Sequence, residues 1–242
     1  MICLFTDYGH EGPYLGQVET VLLNLVPGEV IINLMADVPR NNPKSGAYLL
    51  ASLTKYIPEN SVVFSVVDPG VGTGKDEPVA LRVNHRWYVG PDNGLLDLIC
   101  RNAVVEKSIR ITWRPDNISN SFHGRDLYAP VCTMIVKGEF EFGDDFKWQD
   151  NHEWPEDLGE IIYADRFGNC MTGIRAGTVS HDAGIKVGSQ ITSYAPTFGE
   201  IEPGRPFWYE NSIGRVEVSV NRGSAAELMN AGVGDPVQVI SV

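Results

Sequence analysis

The feature that most constrains the fold of this chain is the alternation, over its first part, of short apolar runs with amphipathic helical patterns. Apolar runs at 2–5, 30–34 and 62–67 are separated by segments 14–25 and 45–56. In these two segments apolar residues recur every three or four positions, as on one face of a helix. Strands that alternate with helices pair in parallel, so the pattern predicts a doubly wound, mostly parallel α/β domain.

Further elements of this domain follow the third apolar run. Segments 79–83 and 87–89 flank Asn84-His85-Arg86, which predicts a hairpin. Residues 94–101 and 127–136 have the apolar spacing of helices.

The composition of the chain then changes. Residues 137–160 contain nine acidic residues and two lysines, with Gly and Pro interspersed, which is typical of an interdomain connection. We therefore predict an α/β domain over 1–140, an acidic linker over 141–159 and a smaller all-β domain over 160–242. Short apolar segments between Gly, Pro and Asn turns predict the strands of this last domain: 161–163, 170–174, 190–194, 207–209, 215–220 and 237–242.

The charge of the chain limits its partners. With 19 basic and 31 acidic residues the formal net charge is −12. This charge repels phosphates, so we expect no nucleic acid and no membrane as a partner, and a small or zwitterionic ligand instead. No apolar run is long enough to span a bilayer, and 2–5 is too short for a signal-peptide core, so we expect a cytoplasmic protein.

The four cysteines of the chain lie far apart and include no CxxC pair. In a reducing compartment such cysteines are usually buried small side chains, so we expect neither a disulfide nor a metal site. These residues are Cys3, Cys100, Cys132 and Cys170.

Carboxylates follow two of the predicted strands. Asp7 comes after 2–5 and Asp68 after 62–67, and ligands of open parallel sheets bind beyond the carboxyl ends of the strands. The two aspartates are therefore candidates to face one cleft, although each is equally explained alone as a turn or capping residue.

Glycine-rich nucleotide motifs do not fit this chain. The segment Gly70–Lys75 resembles a phosphate-binding loop, but Pro69 and Asp76 stand where that motif needs Gly and Ser or Thr. The intervals between Gly9, Gly12 and Gly16 do not match a dinucleotide fingerprint either.

Two loops carry further candidate side chains. His123 precedes a predicted helix, where it is either structural or a proton shuttle near neutral pH, and we expect Arg125 and Asp126 to form a local ion pair. In the β-rich domain a turn contains Asp165, Phe167 and Asn169. This turn is either an ordinary hairpin connection or a binding loop, in which the acid receives an ammonium group, the ring stacks and the amide reads a base edge.

Six segments in register resemble the S-adenosylmethionine (SAM) hydroxide adenosyltransferases, also called SAM hydrolases, which are relatives of the fluorinase and chlorinase enzymes. The segments are FTDYGHEGPYLGQV, NNPKSGAYLLAS, SVVFSVVDPGVGT, GPDNGLL, FHGRDLYAP and DRFGN. The resemblance covers nearly the whole chain. It implies an α/β domain followed by a β-rich domain, a homotrimer with the ligand between neighbouring subunits, and hydrolysis of SAM to adenosine and L-methionine without a cofactor.

The resemblance also implies roles for individual residues. Asp7 would hold the ribose hydroxyls, and a group of residues in the β-rich domain would bind the methionine and adenine ends of SAM: Asp165, Phe167, Asn169, Ser212 and Asn221. The last two also fit plain hairpin ends. The catalytic set would be Asp68, Lys75 and His123, with Lys75 standing where the family has Arg.

These residues lead to a hypothesis for the reaction. A cation beside Asp68 would lower the pKa of this carboxyl and weaken it as a base, so we assign Asp68 and Lys75 to positioning and His123 to proton acceptance. The halide-using relatives lack the Asp and His, so the runner-up function is a chlorinase-like halide adenosyltransferase. A noncatalytic SAM or adenosine binder is the other alternative.

Overall fold

The predicted alternation of strands and helices builds a seven-stranded sheet in a computed structural model that describes residues 1–101 and 103–241. The chain divides into two units, Met1–His152 and a second that begins at Glu153. The strands of the first unit are β1 (Ile2–Thr6), β2 (Ile31–Met35), β3 (Val62–Val66), β4 (Pro78–Val83), β5 (Arg86–Pro91), β6 (Val105–Ile111) and β7 (Gly143–Asp145). Its helices are α1 (Tyr14–Leu25), α2 (Pro43–Leu53), α3 (Asp97–Arg101) and α4 (Ala129–Lys137).

The strand order is β2-β1-β3-β5-β4-β6-β7. Strands β2, β1, β3 and β5 pair in parallel, and β6 runs in the same direction, whereas β4 and β7 run the opposite way. Helices cover both faces of the sheet. Ile2 and Leu4 of β1 pack in one core cluster with Leu22 of α1, while a methyl group built on Gly46 of α2 would lie 3.7 Å from the ring of Phe5, on the opposite face. The predicted doubly wound α/β architecture is confirmed.

The predicted hairpin is also confirmed, since β4 and β5 are antiparallel. Its turn residues Asn84 and His85 have φ values of 46° and 63°. Positive φ at both central residues is the conformation that matches the twist of two paired strands. The predicted helix at 94–101 begins only at Asp97, and a π-helical turn, Gly124–Tyr128, precedes α4.

Strands β6 and β7 were not predicted. The exposed face of β6 is charged, and its side chains form cross-strand ion pairs, such as Glu106 with Arg82 and Arg110 with Glu77. A half-buried strand that is stabilised by charge pairs has a weak apolar pattern.

The acidic segment contributes contacts to the first unit as far as His152. Phe142 is buried in the main core cluster of this unit. His152 Nδ1 lies 2.8 Å from Asp97 Oδ2, and Arg101 Nε donates to Asp150 Oδ2 at 2.7 Å. These contacts hold the segment against helix α3.

The second unit is built from two antiparallel sheets with orders β12-β13-β9-β8 and β11-β10-β14. Its strands are β8 (Leu158–Ala164), β9 (Cys170–Arg175), β10 (Gly184–Val187), β11 (Gln190–Thr192), β12 (Pro206–Glu210), β13 (Arg215–Val220) and β14 (Val237–Ile240). The smaller β domain is therefore confirmed.

Two elements of this unit were missed, β10 and the short helix α5 (Ala225–Met229). The helix begins at Ser224, whose side chain accepts a hydrogen bond from Glu227 N at 3.1 Å. Val242, the last residue of the predicted strand 237–242, lies outside the described residues. All four cysteines are buried, as predicted. Among the described helices, none combines the length and apolar character that crossing a bilayer requires.

Candidate active site

The site begins at the edge where β1 and β3 end. These strands are parallel neighbours, and Thr6 pairs with Val66, so the loops that follow them leave the sheet side by side. The loops carry Asp7 and Asp68, and both residues line a cavity of about 90 Å³ together with His123. The structure thus brings together three residues that were predicted from separate parts of the sequence.

Two glycines allow these loops to approach closely. Gly72 has φ +76°, and a methyl group built on it would lie 2.2 Å from the carbonyl oxygen of Asn120, in the loop before His123. A methyl group on Gly124 would lie 2.0 Å from the hydroxyl oxygen of Tyr8, which follows Asp7. A larger side chain at Gly72 would push the loop of Asp68 away from the loop of His123, and one at Gly124 would displace the ring of Tyr8.

Tyr8 and Asn41 also line the small cavity, although neither was among the residues predicted from the sequence. Asn41 N donates to Asp7 Oδ2 at 2.9 Å and thereby orients this carboxylate. The ring of Tyr8 packs edge-on against Phe122, with centroids 5.7 Å apart. Burial raises the pKa of the Tyr8 phenol, so the hydroxyl stays protonated at neutral pH. Both residues lie within segments that resemble the family, and this resemblance was the feature of the sequence that could have identified them.

The carboxyl of Asp68 is made more basic by its surroundings. Burial raises its pKa to about 6, and the negative charges of Asp76 and Asp7 act in the same direction. The N–H of Gly70, which donates to Asp68 Oδ1 at 3.1 Å, favours the ionised form. Asp68 is therefore mostly ionised at pH 7, yet it holds a proton far better than an exposed aspartate.

His123 has the opposite shift. Partial burial lowers the pKa of its imidazole, and the positive charge of Arg114 lowers it further, whereas Asp126 raises it. The ring is consequently neutral at pH 7 and has one nitrogen able to accept a proton.

Asp68 and His123 also line a second, larger cavity of about 440 Å³. The other polar side chains that line it include acidic, basic and neutral groups: Asp76, Glu77, Arg110, Thr112, Arg114 and Tyr128. The two catalytic candidates thus lie on the walls of both cavities. Arg114 was not selected from the sequence, since it belongs to none of the motifs; its Nη1 donates to the carbonyl oxygens of Ile111 and Trp113 at 2.9 and 2.7 Å.

Lys75, the predicted catalytic cation, is exposed, and it is not among the residues that line these two cavities. Its backbone N–H donates to Thr73 Oγ1 at 3.2 Å. The expectation that a cation lowers the pKa of Asp68 is wrong in direction. The neighbouring residue Asp76 faces the cavity instead, and its negative charge raises that pKa.

The predicted Arg125–Asp126 ion pair is confirmed, with Arg125 Nε 2.6 Å from Asp126 Oδ1. Asp126 Oδ2 also accepts from Ser119 N at 2.8 Å, and Arg125 Nη1 donates to Gln17 Oε1 at 2.8 Å. The pair therefore fastens the loop before His123 to helix α1.

In the second unit, the carboxylate of Asp165 is satisfied within its own turn. Asp165 Oδ1 accepts from Phe167 N at 2.8 Å and Asn169 N at 2.9 Å, and Oδ2 accepts from Asn169 Nδ2 at 2.8 Å. Phe167 projects from this turn with 64% of its surface exposed. The contacts show that Asp165 shapes the turn that presents the aromatic ring.

The other two predicted binding residues lie at different ends of strand β13. Cys170, which follows the Asp165 turn, pairs with Val218, so Asn221 lies at the same end of the sheet as that turn. The side-chain amide of Asn221 donates to the carbonyl of Ile201. Ser212 lies in the turn before β13, at the opposite end, about 20 Å away along the strand.

Comparisons with known proteins cover nearly the whole chain. A family model described as the SAM hydroxide adenosyltransferase N-terminal domain matches residues 2–143, and the model of the corresponding C-terminal domain matches 159–238. A protein of Thermus thermophilus named (R)-S-adenosyl-L-methionine hydrolase is 35% identical, over 99% of both chains. A protein of Salinispora tropica with the same name is 31% identical, over 98% of this chain and 97% of that protein. A fluorinase of Actinopolyspora mzabensis is 21% identical, over 99% and 96%.

Solved structures are similar over the same extent. A conserved protein of Thermotoga maritima, described as uncharacterised, superposes with a TM-score of 0.89 at 26% identity, covering 100% of both chains. A conserved hypothetical protein of Thermus thermophilus superposes with a TM-score of 0.80 at 33% identity, covering 99% of both.

Proposed function

The chain belongs to the SAM hydroxide adenosyltransferase family, and from this membership and the geometry of the site we propose that it hydrolyses SAM to adenosine and L-methionine. Water forms a bond to C5′ while the C5′–sulfur bond breaks and its electron pair goes to sulfur. The observation that carries the proposal is that Asp68 and His123 line the same cavity as Asp7. A water nucleophile must lose a proton, whereas a halide has none to lose.

Asp68 is the proton acceptor in this proposal. The earlier assignment of His123 depended on a cation beside Asp68, and the charges that act on Asp68 are negative instead. General base catalysis is most efficient when the pKa of the base is close to the pH of the reaction, and the pKa of Asp68, about 6, is close to neutral pH. Neutral His123 then hydrogen-bonds the same water and holds it in line with C5′. Lys75, being exposed, contributes charge at a distance.

The charge of the substrate agrees with the cavity walls. SAM carries a positive sulfonium, and the small cavity is bordered by the carboxylates of Asp7 and Asp68. Attack by water with loss of a proton removes the sulfonium charge, so a site shielded from bulk water favours the step. No cofactor takes part, because the sulfonium is itself a good leaving group.

Asp7 is assigned to the ribose hydroxyls. Its carboxylate is oriented by the N–H of Asn41, and its location on the cavity wall with Asp68 would place C5′ of the bound ribose beside the general base. A misplacement of C5′ by about 1 Å costs about 100-fold in rate, so this orientation matters for turnover.

The remaining substrate contacts are assigned to the second unit. The exposed ring of Phe167 is suited to stack on adenine, with Asn169 reading its edge. Asp165 acts by shaping this turn, and Asn221 lies at the same end of the sheet. The assignment of Ser212, at the opposite end of β13, to a contact with SAM is supported by the family resemblance alone.

We also propose a cytoplasmic homotrimer in which neighbouring subunits share the ligand. The edge strand β2 supports assembly, because Val30 and Ile32, before and within this strand, are 54% and 41% exposed. Exposed apolar groups beside an unpaired strand edge need a cover. Light scattering after size exclusion should give three times the chain mass of 26.6 kDa.

The test of the reaction is product analysis after incubating the protein with SAM in ¹⁸O-labelled water. Because the relatives' names specify the (R) configuration at sulfur, each sulfur epimer is supplied separately. Adenosine labelled at its 5′ oxygen and an equal yield of methionine would support hydrolysis at C5′. The same assay is run on Asp68→Asn, which lacks the proposed proton acceptor, and on His123→Ala, which lacks the group proposed to orient the water.

Two results would contradict the proposal. Formation of 5′-chloro-5′-deoxyadenosine in a parallel sample with chloride would identify a halide adenosyltransferase. Binding of SAM without any product after single-turnover incubation would identify a noncatalytic binder.

A further inference from the structure

The loop after β3 brings a second carboxylate close to Asp68. A methyl group built on Gly70 would lie 2.7 Å from Asp76 Oδ2 and 3.6 Å from Asp68 Oδ1, so the two acids approach the same point of the backbone. Both also line the larger cavity, as does His123. Asp76 is therefore a neighbour of the proposed general base, whereas Lys75, one position earlier, is exposed outside the cavity.

We propose that Asp76 is a positioning residue for hydrolysis, which places a second negative charge against Asp68 and thereby makes Asp68 the better proton acceptor for the attacking water. This inference rests on the proposed function. A negative charge beside a carboxyl disfavours its ionised form, so Asp68 binds a proton more tightly in the presence of Asp76. After burial, Asp76 is the strongest of the influences that raise the pKa of Asp68 to about 6.

Other titratable and charged groups of the described residues lie near Asp68 as well. Those groups come from the loop after β1, from the loop before His123 and from the π-helical turn: Asp7, Tyr8, Arg114, His123 and Tyr128. Glu77 and Arg110 face the larger cavity as well, but they pair with each other, with Arg110 Nε 2.6 Å from Glu77 Oε2. Arg114 acts on the imidazole of His123 and on the hydroxyl of Tyr128, and it is not among the main influences on the Asp68 carboxyl.

The test compares Asp76→Asn with two matched variants. Asp76→Glu keeps the charge, and Glu77→Gln removes a charge from the same cavity wall but from a group already paired with Arg110. The pH dependence of kcat/KM for SAM is measured for each, and the Asp68 carboxyl is titrated directly by ¹³C NMR of aspartate-labelled protein without substrate. Loss of the resonance in Asp68→Asn assigns the signal.

We expect Asp76→Asn to move the acid limb of kcat/KM, and the titration of the Asp68 carboxyl, to lower pH by about half a unit or more. Asp76→Glu and Glu77→Gln should leave both close to wild type. An unmoved Asp68 titration in Asp76→Asn, or an equal movement in Glu77→Gln, would overturn the role of Asp76. The NMR titration needs no turnover, so it still decides the charge coupling if the protein fails to hydrolyse SAM; in that case the proposed function fails separately.

Discussion

The contact between the Asp68 loop and the His123 loop can be tested at Gly72, because the same loop supplies a matched control at Gly74. Both glycines have left-handed backbone, with φ of +76° and +71°. An alanine at either position costs about 1–2 kcal/mol of backbone strain. They differ in surroundings: a methyl group on Gly72 would lie 2.2 Å from the carbonyl oxygen of Asn120, whereas one on Gly74 has nothing within 4 Å.

The magnitude follows from these distances. Ordinary contact begins near 3.4 Å, so Gly72→Ala must move the two loops apart by about 1 Å. Such a displacement of catalytic groups costs about 100-fold in rate, and the overpacking adds about 1–3 kcal/mol to the loss of folding free energy. Gly74→Ala should lose only the strain term and keep its activity within about threefold, which is less than 1 kcal/mol of transition-state stabilisation.

The assay is the initial rate of adenosine release from SAM, measured by chromatography, together with urea unfolding of both variants. If Gly72→Ala and Gly74→Ala have the same kcat/KM, the two loops do not position the reaction through this contact. If both unfold at the same urea concentration, the steric argument from Asn120 is refuted as well.

Three further outcomes follow from the same structure. Because Asp68 must be ionised to accept a proton and its pKa is about 6, kcat/KM should be level above about pH 7 and fall about tenfold per unit below pH 6. Asp68→Asn should lower kcat by about 100-fold or more above pH 7 and remove the fall below pH 6. Lys75→Ala should change kcat/KM by less than about fivefold, since an exposed charge contributes under 1 kcal/mol; a loss of about 100-fold would restore Lys75 to the catalytic set. Asp165→Ala should lower the free energy of unfolding by about 1–3 kcal/mol, because it leaves N–H donors of Phe167 and Asn169 without their acceptor, and an unchanged urea midpoint would show that the acid serves ligand binding rather than the turn.

Local pattern was sufficient for much of the fold. Strand β1 and helix α1 match their apolar spacing closely, and the Asn84–His85 turn follows from residues that tolerate positive φ. Pattern failed where stability depends on partners distant in sequence. Strand β6 forms ion pairs with Arg82 of β4 and with Glu77, which precedes β4. The apolar periodicity of the β6 segment itself does not reveal these pairs.

The candidate site shows the same division. The sequence alone determined that Asp7 and Asp68 follow parallel strands and that His123 precedes a helix, because residue order and strand direction decide which edge a loop leaves. Only the tertiary structure decided which of the adjacent residues Lys75 and Asp76 faces Asp68, since this depends on how a glycine-rich loop turns against Asn120. The basicity of Asp68 depended on that choice, because burial and the sign of a neighbouring charge are properties of three-dimensional packing.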